Sequence, residues 1–546
     1  MSAAIYFEPD AFVVEGRQVM GRRAAGASFL RAAVQSRGQG PVTAYVRTAE
    51  ARSSFLQSVA AIDPAAPTHC ISAGALQQLA SCGLLYRPDP MIAAEARLRL
   101  RQGARSYSLC GITHTISSSG VLEELGRLVT EPVMEWDALI CTSTVAREVV
   151  QASMDAAWDQ ARWLTGATRR PPSLQLPVIP LGVHCSDWEP APQKRDDARA
   201  RWTLAEDDVA LLFAGRLSYA GKAHPFQMFE AMQAVAARTG KRIVLLMAGQ
   251  YFLNHVQQAF EQAARALCPD IRFIHVDGAA PGDYAAAFAA ADIFLSLADS
   301  HQETFGITPI EAMASGLPVL VTDWNGYRDT VRDGVDGFRI PTWSPAPGTG
   351  ASLSAFYEST GAFEVYSARA SGGVSIEMAA LADRLERLVI DADLRRTFGA
   401  AGRARAAAVY DWAVIYRHYQ ELWVELAARR TAAATPATTA WLQQAPAAHH
   451  AFPDPYERFA SYTPNHISRD TPLRRGTAIA DHAEIAALEI FAHLRFSPEL
   501  ATKILQAVDR EAVTVGDVAG RLGVDLATTT ELVARLAKMN LLILQA

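Results

Sequence analysis

"DIFLSLADSHQETFGITPIEAMASGLPVLVTDW" (292–324) contains two brief apolar runs, 292–299 and 318–324, separated by a loop and a helical stretch. Strand, loop, helix and strand in that order predict one crossover unit of a parallel sheet. Glu303 stands in the loop, and Glu311 follows eight residues later on the first helical turn. Thr308, Pro309 and Glu311 match a capping box, with Thr at N-cap, Pro at N1 and Glu at N3. The same turn, Thr304 to Ile307 around Gly306, exposes backbone N–H groups of Phe305 to Ile307 at a helix N-terminus, where anions bind. A carboxylate beside it would accept hydrogen bonds from vicinal hydroxyls. Glu311 fits either reading, cap or ligand. No helix needs Glu303.

Outward from this unit the pattern repeats. Runs at 209–218, 242–249 and 270–278 read as further strands of the same half. Before them, 41–47, 67–72, 107–115, 137–143 and 175–183 read as strands, with crossover helices at 73–83, 118–130 and 143–165. A charged, proline-bearing stretch at 186–208 divides the two series. Two doubly wound α/β halves are predicted, with ligands at the carboxyl ends of the strands and the site in the cleft between them. The stretch 410–430 keeps helical apolar spacing at Ile415, Tyr419, Leu422, Trp423 and Leu426, as a docked amphipathic helix does.

At 546 residues the chain exceeds one core. A formal charge of −6 excludes a global attraction to nucleic acid or anionic membrane. The six cysteines form no CxxC pair, which argues against a disulfide frame or a zinc site. No signal peptide is evident, and no apolar run approaches the ~18 residues of a membrane span. A cytoplasmic protein is expected, with peripheral contact at the inner membrane face as an option.

"FAGRLSYAGKAHP" (213–225) ends a strand at Gly215 and sets Arg216 and Lys222 in or beside the next loop. Two cations there suit a departing diphosphate. They also read as solvated surface charges. The D-x-D pair Asp391 and Asp393 lies in a charge-rich helical stretch and reads as a helix junction. No metal and no cofactor are expected, the positive field coming from Arg216, Lys222 and a helix N-terminus.

The ordered set, "VIPLGV", then G-R-L…K, then E-x7-E with Phe-Gly after the first Glu, resembles the retaining nucleotide-sugar glycosyltransferases of family 4. The resemblance covers roughly 10–430 and implies the GT-B fold: two Rossmann-like domains facing across a cleft. It assigns donor-sugar hydroxyls to Glu303, sugar and phosphate to the 305–307 backbone, ribose to Glu311, and the departing diphosphate to Arg216 and Lys222. His114, ending the run 107–115, matches a histidine near the reaction centre. Gly21 and Gly26 in the turn "MGRRAAGAS" (20–28) match a loop whose amides approach donor phosphates or acceptor, and Arg22 and Arg23 there suit an acidic acceptor or solvent. The chain departs from the family at Leu181–His184 and at "NGYRD" (325–329), where Asp329 takes a Glu position. Neither departure is expected to touch the phosphate or ribose residues.

The expected division is 1–186 acceptor-side domain, 187–409 donor domain, 410–430 crossover helix, 431–451 linker and 452–546 extension. The segment 342–376 is expected as a loop over the cleft. The extension is mainly α, with a winged-helix-like module at about 497–546 and a turn glycine after "AGRL". From 499 to 546 five Lys and Arg stand against six Asp and Glu, so partner docking or self-association fits better than DNA binding. The implied activity is transfer of a sugar from a nucleoside diphosphate donor to a hydroxyl of a glycan or lipid-linked glycan. Rivals are a protein or peptide acceptor held by the module, a disaccharide synthase or phosphorylase, and a non-catalytic sugar-nucleotide sensor.

Overall fold

The computed structural model describes residues 3–13, 21–280, 282–446, 449–478, 480–510 and 513–545. They form two compact units, Met1–Ala447 and Ala448–Ala546.

The first unit holds two parallel six-stranded sheets. The N-terminal sheet comprises β1 (Ala4–Tyr6), β2 (Val42–Val46), β3 (Thr68–Ser72), β4 (Leu84–Tyr86), β5 (Ser108–Ile112) and β6 (Ala138–Ile140), ordered β3-β2-β1-β4-β5-β6. The C-terminal sheet comprises β7 (Val209–Ala214), β8 (Ile243–Gly249), β9 (Arg272–Asp277), β10 (Ile293–Ser296), β11 (Val319–Thr322) and β12 (Gly337–Ile340), ordered β12-β11-β10-β7-β8-β9. Each sheet reverses its winding once, between β1 and β4 and between β7 and β10. Those reversals open the crevices where ligands of doubly wound sheets bind. Strands β7, β8, β10 and β11 are buried along their whole length, which is why they read as unbroken apolar runs.

Three strands escape the periodicity. They are β1, β4 and β12, of three or four residues each. The stretch 175–183 forms no full strand. It makes isolated bridges, Ala138 to Gln175 and Cys141 to Val178, because Pro177 and Pro180 withhold ladder donors.

The helix Trp412–Ala432 returns from the C-terminal half to the N-terminal sheet. Trp412, Ile415, Tyr419, Leu422, Trp423 and Leu426 bury against Ile5, Phe7, Phe29 and Val42. At about 1.5–3 kcal/mol for each large apolar side chain buried, this face fastens the return. Part of the expected linker is ordered: Pro436–Leu442 is a helix, and Arg105 Nη1 donates to Thr439 Oγ1 at 3.4 Å.

The segment 342–376 is no plain loop. Short antiparallel strands β13 (Thr342–Trp343) and β14 (Ser375–Ile376) close its base, and the helices Ala351–Thr360 and Phe363–Ser371 stand between them.

In the second unit β15 (Pro472–Arg475), β16 (Val513–Thr514) and β17 (Leu542–Leu544) make a three-stranded antiparallel sheet, ordered β16-β15-β17. The helices Pro498–Arg510, Val515–Leu522 and Leu526–Lys538 accompany it. Gly523 supplies the turn between the last two at φ 64°. The module begins before 497, since central strand β15 contributes the buried Leu473 to its core.

Candidate functional site

The C-terminal crevice is built by the loops after β7 and β10. Lys222, after β7, forms a buried ion pair with Glu303, after β10. Its Nζ also donates to Tyr327 Oη at 3.4 Å, and that oxygen lies 2.9 Å from Ser296 Oγ. Burial alone would push the Glu303 carboxyl up, but Lys222 and the Phe305 amide outweigh it and hold the group below its usual range. Lys222 is held protonated, the attraction of Glu303 and Tyr327 overcoming its burial. Arg216, just after β7 and Gly215, donates through Nη2 to the Gly221 carbonyl at 2.9 Å and to Gln302 Oε1 at 3.2 Å. Two fixed cations and one carboxylate therefore converge at the reversal point of the sheet.

The capping box expected at Thr308 is absent. The helix runs Ile307–Ala314 with Gly306 as N-cap, and the Thr308 hydroxyl is buried without a hydrogen-bond partner. Gly306 holds φ 83°, and a Cβ there would lie 2.0 Å from the Tyr327 ring. Only glycine fits. Glu311 therefore caps nothing. Its carboxyl accepts from Tyr284 Oη at 3.1 Å, and burial pushes it up to about 7 against that bond and the Lys222 charge.

The turn "NGYRD" does touch this site, contrary to expectation. Tyr327 reaches Lys222, and a Cβ on Gly326 would lie 2.4 Å from the Phe305 Cα. Asp329 Oδ2 accepts the Thr144 N–H at 2.6 Å, and Ser143 Oγ donates to the Thr304 carbonyl at 2.6 Å. Both contacts carry the N-terminus of the helix Thr144–Thr165 onto the C-terminal half. Sequence reasoning passed over Tyr327, Gln302, Ser296 and Tyr284. Their one available signal was position, since Ser296 ends β10, Gln302 precedes Glu303, and Tyr327 follows a glycine turn.

On the N-terminal half, His114 follows β5, and its Nε2 lies 3.0 Å from the Pro88 carbonyl, just past β4. Burial, with the Arg22 charge adding to it, lowers its pKa to about 4, so the imidazole is neutral at physiological pH. The stretch expected as a glycine turn is helical from Gly21, in Gly21–Gln35, while Met20 and the residues from Val14 lie outside the described residues. Gly26 lies inside that helix, where a Cβ would meet the Ala11 carbonyl at 1.9 Å. Its need for glycine is a helix packing contact. A Cβ on Gly21 would meet nothing within 4 Å. Arg23 pairs with Asp10 at 2.9 Å.

Asp391 caps the helix Ala392–Arg405 by accepting the Leu394 N–H at 2.8 Å, and Asp393 pairs with Arg396 one turn on. Among the described residues no three His, Cys, Asp or Glu side chains gather as a metal-holding group. No described helix is long and apolar enough to cross a membrane.

Residues 194–346, which include the crevice just described, match the family model Glycosyl transferases group 1. Among known relatives, the D-inositol 3-phosphate glycosyltransferase of Geodermatophilus obscurus is 33% identical over 198 residues, covering 34% of this chain and 41% of that protein. The phosphatidyl-myo-inositol mannosyltransferase of Mycobacterium leprae is 29% identical over 238 residues, covering 43% of this chain and 50% of that one. The chain thus spans half or less of the length of these two curated relatives. The crystal structure of Anabaena Alr3699/HepE in complex with UDP is similar with a TM-score of 0.51, covering 78% of this chain and 100% of that one at 15% identity. That likeness is one of fold, and the two facing parallel sheets are the GT-B arrangement.

Proposed function

We propose that this protein is a retaining glycosyltransferase that moves a sugar from a nucleoside diphosphate sugar to an acceptor hydroxyl. The observation that carries the reading is the Lys222–Glu303 pair with Arg216 beside it, at the reversal point of the sheet in the matched domain. Arg216 and Lys222 meet the diphosphate, whose charge grows as the bond to the sugar's anomeric carbon breaks. The Glu303 carboxylate orients donor-sugar hydroxyls, and free N–H groups at the start of Ile307–Ala314 hold phosphate oxygens. Glu311 accepts from the ribose hydroxyls. The acceptor oxygen attacks the face that the diphosphate leaves, its proton passing to the departing phosphate oxygen. Neutral His114 lines that path without competing for the proton. The reaction needs no metal, because these cations supply the field.

The acceptor is a hydroxyl of a polyol or glycan, as in polysaccharide or lipid-linked glycan assembly. The relatives named for inositol phosphates favour a phosphorylated one. Arg22, near His114, and Arg47, which follows β2 and donates to Tyr6 Oη at 3.2 Å, offer cations on that side. The test is a thermal-shift and hydrolysis screen against UDP-, GDP- and ADP-sugars. Failure of every nucleotide sugar to bind would overturn the reading.

A further inference from the structure

We propose that the helical segment Ala351–Ser371 is a clamp that couples donor binding to the seating of the acceptor half, with Gln302 and Tyr357 as its positioning residues. The proposal rests on the donor reading of Arg216. The segment is a closed excursion: β13 and β14 pair Thr342 with Ile376 and Trp343 with Ser375, fastening both feet beside β12. Nearly all of it lies beyond the matched family domain, which ends at 346.

Its inner attachment reaches the donor cation. Gln302 Oε1 accepts from Arg216 Nη2 at 3.2 Å, while Gln302 Nε2 donates to Ser367 Oγ at 3.0 Å. Ser367 is 3% exposed, and its hydroxyl donates in turn to the Ala220 carbonyl at 3.3 Å, in the loop that carries Lys222. One amide side chain thus joins Arg216 to the helix Phe363–Ser371.

The outer attachment crosses to the other half. Tyr357 Oη lies 2.9 Å from Ser119 Oγ and accepts the Ser119 N–H at 3.2 Å. Ser119 opens the helix Ser119–Thr130, five residues after His114, and the N-cap Ser118 gives that helix no side-chain bond. A hydroxyl from the opposite half therefore serves as part of its cap. Between the two attachments, Tyr357 stacks on Tyr366 at 4.8 Å and 21°, so the paired helices move together.

The neutral amide of Gln302 is a weak ligand for a guanidinium. A diphosphate oxygen adds the attraction of opposite charges to the hydrogen bond at the same nitrogen. Donor arrival displaces Gln302 from Arg216, and the freed side chain resets Ser367 and, through the stacked rings, the Tyr357–Ser119 contact. The element that moves is the segment, and both ligands bias it.

The test uses whichever of UDP, GDP or ADP binds, followed by hydrogen exchange of the amides at 119–122. In the wild type the diphosphate changes their protection. Tyr357→Phe keeps the ring stack but lacks the hydroxyl, so affinity stays within about two-fold while the change at 119–122 disappears. Gln302→Ala also abolishes that change, yet binds the diphosphate equally or up to about three-fold more tightly, its competitor for Arg216 being gone. A diphosphate response at 119–122 that survives in both variants overturns the clamp alone. Absence of any diphosphate binding to the wild type overturns the donor reading with it.

Discussion

The Lys222 ammonium and the Glu303 carboxylate are paired, both largely buried, between the loops after β7 and β10, with the Tyr327 hydroxyl beside them. They are 81 residues apart in the chain and belong to one site. Removing either partner leaves a buried charge alone. Lys222→Met or Glu303→Gln is expected to cost about 3–5 kcal/mol of stability in urea denaturation. The double variant recovers most of that stability and none of the transfer activity. If the double variant is as unstable as the sum of the singles, the pair is not an energetic unit.

Glu311 titrates near 7 in the folded protein against an ordinary 4.5. A raised carboxyl pKa means that the folded state holds a proton which the unfolded chain has released. Stability from this group is present below about pH 4.5 and is lost as pH rises through 7, by up to about 3 kcal/mol. Glu311→Gln should therefore match the wild type at pH 4.5 and exceed it at pH 8, measured by melting temperature. Calorimetry at pH 8, where the Glu311 carboxyl is ionised, should show nucleoside diphosphate binding to the same variant weakened by about ten-fold or more, one lost charge-assisted bond.

His114 carries the opposite sign. Its folded pKa near 4 lies below the ordinary 6.5, so the unfolded chain takes up a proton that the folded chain refuses. Stability should fall as pH drops from 6.5 towards 4, by up to about 3 kcal/mol. His114→Asn should lose less over that range in chemical denaturation. Transfer rates from pH 6 to 8 should carry no inflection from this residue.

Gly306→Ala would drive a methyl into the Tyr327 ring from a positive φ. The expected loss is about 1–3 kcal/mol, with Lys222 displaced along with the ring. Nucleotide affinity should fall in parallel. Unchanged affinity would separate the Tyr327 contact from the donor site.

EDTA should leave transfer intact, because cationic side chains and helix N–H groups are assigned the role of a metal. Loss of activity restored by Mg²⁺ or Mn²⁺ would overturn that assignment. The assay is product formation with the donor sugar found in the screen.

Local chemistry determined much of this protein. Buried parallel strands must be apolar, so β7, β8, β10 and β11 could be read directly, and with them the two-half fold and the positions of Arg216, Lys222, Glu303 and His114 at strand ends. The heptad-like spacing of Ile415, Tyr419, Leu422 and Leu426 announced a docked helix before its partner sheet was known. The strands β1 and β4, three residues each, escaped that reading.

What only the tertiary structure decided concerns pairs distant in the chain. Spacing alone matched Thr308 and Glu311 to a helix cap, but the Tyr327 ring against Gly306 moves the helix start and leaves Glu311 facing Tyr284. The helix of Gly21–Gln35 and the link from Gln302 to Ser367 likewise rest on contacts with other elements. Periodicity records which face of an element is buried. Which residue meets which across a cleft depends on how whole elements pack, and no local pattern encodes it.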